Sequence, residues 1–332
     1  MDIEMMPENH QIHRSKVLVL ARGALGDVLM IWPFLAALPA HFGLEAISLI
    51  GQGPVLTLLK DQPFVAGIYN HDQADWAGLY LDTPQVSPQL KKIVLSHQIG
   101  VVLARRKDDP AAAGLRFLGL DPVVVAPSRP PEDHPQHLVD HLFQVTGIKP
   151  LPYPVLIQPP STGVSAARDF VMENVPSQTP VIILHPGSSS PQKNWPLNRW
   201  LALAGMIEED LKLKPLFLLG PADDYLAESL AKAPTGKPGS GLVMARNPTL
   251  RQAAGLISLS QAYIGHDSGL THLAAGMGRP TLALFGPTNP CHWAPRGPKV
   301  AILQAKKYSL ADSDLVWPQP VEVLSSLADI LN

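Results

Sequence analysis

Short apolar runs rich in Val, Ile and Leu alternate along the chain with segments whose apolar residues recur at helical spacing. This alternation is typical of βαβ units, in which helices join parallel strands. In the first half the predicted strands span residues 17–21, 46–50, 65–69, 100–104 and 122–126. In the second half they span residues 181–185, 215–219, 241–245, 262–265 and 280–285. The pattern therefore predicts two α/β lobes, each with a parallel sheet.

Proline marks the predicted boundary between the lobes. Residues 149–160 read KPLPYPVLIQPP, and so many prolines cannot lie inside a helix or a central strand. We therefore predict a flexible tail over residues 1–15, a first lobe over 16–155 and a second lobe over 156–332. The segment VEVLSSLADIL predicts a C-terminal helix at about 318–331 that can pack back toward the first lobe.

Length and charge narrow the class of protein. A chain of 332 residues suits two domains of about 150 residues each. Because 26 Lys and Arg face 28 Asp and Glu, there is no basic surplus, and no nucleic-acid partner is expected. A lone cysteine, Cys291, excludes an intrachain disulfide and favours a reducing compartment. With neither a secretory signal nor an apolar run of about 20 residues, the expected location is the cytoplasm.

Two polar turns follow strands of the second lobe. In PGSSSPQKNWP, the hydroxyls of Ser188 and Ser189 and the charge of Lys193 can hold a phosphate, although an ordinary solvated loop fits equally well. In IGHDSGLTHL, Asp267 or Ser268 can simply cap a helix, and His272 can be structural. Because both turns follow strand ends, where open α/β sheets bind ligands, the pair favours an anion site.

A third turn lies in the first lobe. The sequence ARGALGDVLMIWP has Asp27 at a helix start, where a carboxylate also serves the helix dipole. The turn lacks GxGxxG, which argues against a dinucleotide-binding oxidoreductase or epimerase. The chain also lacks a P-loop, an HExxH helix and Cys and His clusters with zinc spacing, so no metal or cofactor is expected.

Three segments together resemble a known family. RGALGDVLMIWPFLAAL, HPGSSSPQKNWPLNRWLALA and IGHDSGLTHLAAGMGRPTLALFGPTNP are similar to the signature blocks of glycosyltransferase family 9, the lipopolysaccharide heptosyltransferases, in order and spacing. The resemblance implies a GT-B fold, in which two Rossmann-like lobes face each other across a cleft. It also implies inverting, metal-independent transfer of heptose from ADP-heptose to a glycolipid or oligosaccharide acceptor, with at most peripheral contact with the inner membrane.

The resemblance assigns roles by motif position. It implies that Asp27 is the general base, with Arg22 and Gly26 beside it on the acceptor side. It implies that Lys193 serves catalysis and donor binding. The other implied donor-binding residues are Ser188, Ser189, Asp223, Asp224, Asn247, Asp267, Ser268, Gly269 and His272.

The chain departs from the family pattern after the fourth strand. There it reads ARRKDDP, and the basic cluster Arg105, Arg106 and Lys107 can meet an anionic acceptor or be a solvated loop. The sugar, the acceptor and the oligomeric state are not readable from the residues. Another nucleoside-diphosphate sugar, a catalytically silent relative and a two-lobed binding protein therefore stay open as alternatives.

Overall fold

The protein is described by a computed structural model that covers residues 15–130, 135–152, 154–188, 190, 193–232, 242–306 and 315–332. The predicted tail lies outside these residues except for Ser15. Ser189 also lies outside them.

The first sheet is parallel, with the strand order β3-β2-β1-β4-β5. Its strands are β1 (Lys16–Leu20), β2 (Ala46–Gly51), β3 (Val65–Asn70), β4 (Ile99–Ala104) and β5 (Val123–Pro127). The helices along this half are α1 (Leu25–Met30), α2 (Trp32–Phe42), α3 (Gly53–Leu59), α4 (Ala74–Ala77), α5 (Pro88–Leu95), α6 (Pro110–Phe117) and α7 (Leu138–Thr146).

The second sheet is also parallel, with the order β11-β10-β9-β6-β7-β8. Its strands are β6 (Val181–His185), β7 (Lys214–Leu219), β8 (Val243–Arg246), β9 (Tyr263–His266), β10 (Thr281–Phe285) and β11 (Val300–Gln304). The helices of this half are α8 (Ser161–Asn174), α9 (Leu197–Met206), α10 (Asp224–Ala231), α11 (Leu250–Leu259), α12 (Gly269–Gly276), α13 (Pro290–Trp293) and α14 (Pro320–Leu331). The prediction of two parallel-sheet α/β lobes is confirmed.

Alternating strand residues fill different apolar cores. Val17 and Val19 of β1 point into one cluster, whereas Leu18 and Leu20 point into another on the opposite face, as the two-residue period of a strand requires. The cluster that holds Val19 continues into the second lobe, where it includes Ile183. The two lobes therefore share one apolar core.

The strand orders determine where a ligand can bind. In each sheet the order in which strands are added reverses beside the first strand. The switch lies between β1 and β4 in one lobe and between β6 and β9 in the other. A crevice opens outside the carboxyl ends of the strands at such a switch point. All three polar turns predicted from the sequence follow these strands.

The C-terminal helix differs from its prediction. Instead of packing back toward the first lobe, α14 packs on α9, β10 and β11 of the second lobe. Its Val323 and Leu327 are fully buried in the core on the outer face of the second sheet. The entry to the helix is held there too, because Arg199 donates to the carbonyl oxygens of Trp317 and Pro318.

The proline-rich segment passes between the lobes. Its described residues form neither a helix nor a strand, and the N–H of Ile157 donates to the carbonyl of Gly276 over 2.8 Å. The domain division at residues 155 and 156 stays a prediction. Among the described helices, none has the length and apolar character needed to cross a bilayer.

Candidate active site

Two cavities meet at the crevice between the lobes. The first, of about 750 Å³, lies in the first lobe beside β1, β4 and β5, and its polar lining includes Arg22, Arg105, Arg106, Asp108, Asp109 and Ser128. The second, of about 620 Å³, lies between the lobes, and its polar lining includes His185, Ser188, Lys193, Asp223, Asp267, Ser268, His272 and Thr288. Among the described residues, Ala24, Asp27 and Arg129 line both cavities.

Asp27 lies at the boundary of the two cavities. It is the third residue of α1, and its Oδ2 accepts a hydrogen bond from the N–H of Ala24 over 2.9 Å. This contact is the helix-start role that any carboxylate can have at this position. Because the side chain is also exposed to both cavities, that structural role leaves the carboxylate available to a ligand.

Close packing of two helices brings the first-lobe and second-lobe turns together. The starts of α1 and α12 approach so closely that a Cβ on Gly269 would lie 2.8 Å from Cγ of Leu25. A Cβ on Gly26 would lie 3.5 Å from Cα of Gly269. Glycine at position 269 is therefore required for this approach, and Gly26, Asp27, Asp267 and Ser268 all line the second cavity.

Lys193 and Asp267 form an ion pair in the second cavity. The Lys193 Nζ lies 2.6 Å from Asp267 Oδ2, and the two side chains are 22% and 12% exposed. The pair joins turns that are 74 residues apart. The predicted convergence of the two turns is what the structure shows, and the lysine charge is shared with a carboxylate.

The serines of these turns are partly used by the turns themselves. The Ser188 hydroxyl lies 2.6 Å from Asn194 Oδ1 and 2.8 Å from the carbonyl of Ser190. Ser268 occupies the N-cap position of α12, yet its side chain accepts no capping hydrogen bond. Its Oγ lies 3.1 Å from Thr271 Oγ1 instead. Simple capping therefore does not account for Ser268.

His272 presents a buried imidazole to the second cavity. It is 4% exposed, and burial lowers its pKa to about 4, with the charge of Asp267 acting in the opposite direction. The ring is therefore neutral at pH 7, and its Nδ1 is buried without a hydrogen-bond partner among the described residues.

The structure separates the two acidic candidates near β7. Asp223 is buried, lines the second cavity, and accepts the N–H of Gly220 over 2.8 Å. Burial raises its pKa. Asp224 and Asn247 are exposed and contact each other over 3.4 Å outside the cavity lining. Of these three predicted residues, only Asp223 therefore lines the cavity.

Four arginines line the first cavity, and two of them have acidic partners. Arg22 pairs with Asp109 and donates to the Tyr80 hydroxyl over 3.2 Å. Arg106 pairs with Asp108. Arg105 also lines this cavity, whereas Lys107 does not. The three residues of the predicted basic cluster are all exposed to solvent, and two of them, Arg105 and Arg106, line the cavity.

Sequence reasoning missed several lining residues. His185 and Thr288 lie inside the motifs quoted above but were not selected, because a strand-terminal histidine and a loop threonine carry no distinctive signal. Arg129 follows β5, and its guanidinium carbon lies 5.7 Å from the ring centroid of Trp293 in the other lobe. Only the fold reveals that contact. Among the described residues, no group of three or more His, Cys, Asp and Glu could hold a metal ion.

Comparison with known proteins identifies relatives. Residues 129–315, more than half of the chain, match the family model described as glycosyltransferase family 9 (heptosyltransferase). The lipopolysaccharide heptosyltransferase 2 of Salmonella typhimurium is 32% identical over 163 residues, which are 47% of this chain and 45% of the relative. The chain thus spans about half the length of such curated relatives.

Two solved structures share the architecture over nearly the whole chain. The family 9 glycosyl transferase of Veillonella parvula has a TM-score of 0.77 at 17% identity and covers 96% of this chain and 97% of its own. The ADP-heptose lps heptosyltransferase II of Escherichia coli has a TM-score of 0.72 at 21% identity and covers 95% and 98%. These similarities confirm the predicted GT-B fold of two Rossmann-like lobes around a cleft.

Proposed function

Because this chain belongs to glycosyltransferase family 9, we propose that it transfers a heptose from ADP-heptose to a lipopolysaccharide core or a related glycan. The observation that carries the proposal is the position of Asp27, whose carboxylate is exposed to both cavities. A transferase needs two substrate sites that meet at one reacting group. The relatives support the choice of sugar, since one is named as a lipopolysaccharide heptosyltransferase and another as an ADP-heptose lps heptosyltransferase.

The second cavity is suited to the nucleotide-sugar donor. A diphosphate leaving group gains negative charge as the bond to the sugar breaks, and fixed positive groups stabilise that charge. Lys193 and the N-terminus of α12 supply such groups at this cavity. In this proposal Asp267 holds Lys193 in place and faces the sugar. Because Lys193 and the helix N-terminus supply the positive charge, the transfer proceeds without a metal ion.

The first cavity is suited to the acceptor. The acceptor oxygen attacks the anomeric carbon while the bond from that carbon to the diphosphate oxygen breaks, and Asp27 takes the hydroxyl proton. Because the two cavities lie on either side of Asp27, attack and departure occur on opposite faces of the sugar. We therefore propose that the product has inverted anomeric configuration. The cytoplasmic location and the peripheral membrane contact stay predictions.

Calorimetric titration with ADP, UDP, GDP and NAD, with and without magnesium, tests the donor. We expect selective binding of ADP that does not need magnesium. Preference for UDP or GDP would replace the donor while leaving the transferase proposal in place, and binding of NAD alone would contradict it.

A transfer assay tests the reaction. The protein is incubated with ADP-heptose, a deacylated lipopolysaccharide core and EDTA, and the product is examined by NMR. Transfer with inverted configuration is expected. Retained configuration or loss of activity in EDTA would refute the mechanism, and nucleotide binding without transfer would indicate a catalytically silent relative.

A further inference from the structure

Helices α5 and α6 cover one outer side of the first lobe. Val94 of α5 and Leu115 of α6 lie in the same apolar core on that side of the first sheet. The ends of the two helices adjoin, since a Cβ on Gly119, two residues after α6, would lie 3.4 Å from Cδ2 of Leu95. We call the outer surface of these helices, with the segment 78–81 beside α6, the α5–α6 face.

Two large apolar side chains are exposed on this face. Phe117 at the end of α6 is 62% exposed, and Leu81 is 52% exposed. Both lie near one close contact, because a Cβ on Gly114 of α6 would lie 2.2 Å from the carbonyl oxygen of Leu79. Phe117 follows Gly114 by about one helical turn, and Leu81 follows Leu79 by two residues. The face thus presents apolar side chains to solvent where α6 meets the segment 78–81.

The helices of this face carry positive charge only. Helix α5 has the sequence PQLKKIVL and α6 has the sequence PAAAGLRF, so the pair contributes Lys91, Lys92 and Arg116 and no carboxylate. Both lysines are exposed. Asp82 and Asp121 lie in the flanking segments, which leaves an excess of one positive charge. Exposed apolar side chains beside lysines suit the boundary between headgroups and acyl chains of an anionic bilayer.

Other exposed apolar side chains have acidic neighbours instead. Met172 of α8 is 73% exposed and Val321 of α14 is 60% exposed. Glu173 follows the first and Glu322 follows the second, and an anionic surface repels both carboxylates. Because these two positions match the exposure of the α5–α6 face but not its charge, they serve as controls.

Helix α6 also connects this face with the first cavity. It begins at Pro110, which lines that cavity, and it ends at Phe117. Eight residues of helix span about 12 Å. A bilayer in contact with Phe117 therefore lies about that far from the proposed acceptor site, within reach of a glycan that is anchored in the bilayer by its lipid.

We propose that the α5–α6 face docks the protein on the surface of an anionic bilayer. Leu81 and Phe117 insert at the headgroup boundary, while Lys91 and Lys92 lie against the lipid headgroups. Docking holds the first cavity beside the membrane, so that the glycan of a lipid-linked acceptor enters it without leaving the bilayer. This use of the docking rests on the proposed function, whereas the docking itself does not.

Co-sedimentation of the full chain with lipid vesicles tests the docking. The vesicles consist of phosphatidylcholine alone or of phosphatidylcholine mixed with phosphatidylglycerol, without nucleotide or glycan. We expect binding to the mixed vesicles at about 0.1 M salt and a loss of binding at about 1 M salt, where the Debye length is only about 3 Å. Absence of binding to the mixed vesicles, or equal binding to both kinds, overturns the proposal.

Paired substitutions locate the contact. Leu81→Ser with Phe117→Ser removes the apolar side chains, and Lys91→Glu with Lys92→Glu reverses the charge. Each pair is expected to weaken binding to the mixed vesicles about tenfold or more. Because all four positions lie on the surface, the midpoint of urea unfolding should not change.

Met172→Ser with Val321→Ser is the matched control and should bind the mixed vesicles as wild type does. Equal weakening by this pair and by the pairs on the α5–α6 face, or no weakening by any of them, overturns the proposal. Analytical ultracentrifugation tests a second copy of the chain as the occupant. A wild-type dimer that Leu81→Ser with Phe117→Ser converts to a monomer would assign the face to that copy and overturn the docking.

A transfer assay distinguishes the docking from the proposed function. With a glycolipid acceptor in the mixed vesicles, Leu81→Ser with Phe117→Ser should raise KM about tenfold, in line with the weaker membrane binding. With the deacylated core in solution, KM should not change. A wild type that binds the mixed vesicles but transfers no sugar refutes the proposed function and leaves the docking in place.

Discussion

Asp27 serves two purposes that one substitution separates. In Asp27→Asn the amide oxygen can still accept the N–H of Ala24, so the start of α1 is kept. The amide cannot take a proton from the acceptor. We expect turnover to fall about 10²- to 10⁴-fold and the Kd for ADP to be unchanged, as measured by initial rates and calorimetry. Normal turnover would remove Asp27 from the mechanism.

Lys193 is expected to contribute to binding through the diphosphate. Because Lys193→Ala removes a charge-assisted contact, the affinity for ADP should fall about tenfold or more, while the affinity for adenosine should not change. Calorimetry with both ligands measures this. Lys214→Ala is the matched control, since Lys214 pairs with Glu208 over the same 2.6 Å and lies outside the second cavity. Equal losses for ADP and adenosine would mean that Lys193 acts through the fold.

Single residues differ in how well their sequence context predicts their place. Asp27, Lys193 and Asp267 were predictable because each follows a strand, and parallel strands end at the same edge of a sheet. His185 was not, because a histidine at the end of a strand carries no distinctive signal in the sequence. Asn247 was assigned by motif position alone, and its exposed contact with Asp224 depends on local geometry that the motif does not encode.

Helices α8 and α11 pack backbone against backbone. A Cβ on Gly163 would lie 1.9 Å from the carbonyl oxygen of Arg251, and one on Gly255 would lie 2.0 Å from the carbonyl oxygen of Gly163. The same α11 reaches the first lobe, where Arg251 donates to the carbonyl of Thr57 and pairs with Asp61. This helix pair therefore supports the contact between the lobes.

Gly255→Ala is expected to destabilise the protein by about 1–3 kcal/mol or more, because the added methyl group meets backbone that cannot move aside. The measurement is the midpoint of urea unfolding. Gly205→Ala in α9 is the control, since a Cβ there meets nothing within 4 Å, and it should be neutral or stabilise by about 0.5–1 kcal/mol. Equal stability of the two variants would show that the helix crossing tolerates the methyl group.

At the level of elements, ten strands were predictable because each contains a short apolar run rich in Val, Ile and Leu. Strand β11, a partly buried strand at a sheet edge, was missed although its sequence VAILQ is as apolar as that of the predicted edge strands. Helix α8 was missed because among its described residues only Gly163 and Ala167 are buried, which leaves no apolar stripe to detect. The position of α8 depends on the close contact between its Gly163 and Gly255 of α11. The sequence of α8 alone does not reveal this contact.

Several polar contacts tie the two lobes into one molecule. His137 at the start of α7 donates from Nε2 to the carbonyl of Ala294, while its Nδ1 accepts the N–H of Val139. Arg296 pairs with Asp140 nearby. The acceptor role of Nδ1 requires a neutral ring, and burial lowers the pKa of His137 to about 4.

The whole molecule is expected to lose stability in mild acid. Burial lowers the pKa of His137, His185 and His272 to about 4 and that of His266 to about 3, against 6.5 for a free histidine. Between these values the unfolded chain binds more protons than the folded one, so stability is full above pH 6.5 and falls as pH drops toward 4. Urea unfolding at a series of pH values measures this fall, and a flat profile over that range would contradict it.

One variant isolates a single contribution to that slope. In His137→Asn the amide oxygen can still cap α7, and the titrating ring is gone. Unfolding of this variant should take up about one proton fewer between pH 6.5 and 4. His41→Asn, at an exposed position, should keep the wild-type slope.

The two cavities are neighbours that share the lining residues Ala24, Asp27 and Arg129. A compound that tethers a nucleoside diphosphate to a short glycan across Asp27 would occupy both cavities at once. Once one half is bound, the linker holds the other half at an effective concentration on the order of millimolar. A second fragment whose own Kd is micromolar would then strengthen the binding of the first by about 10²- to 10⁴-fold, without any new contact.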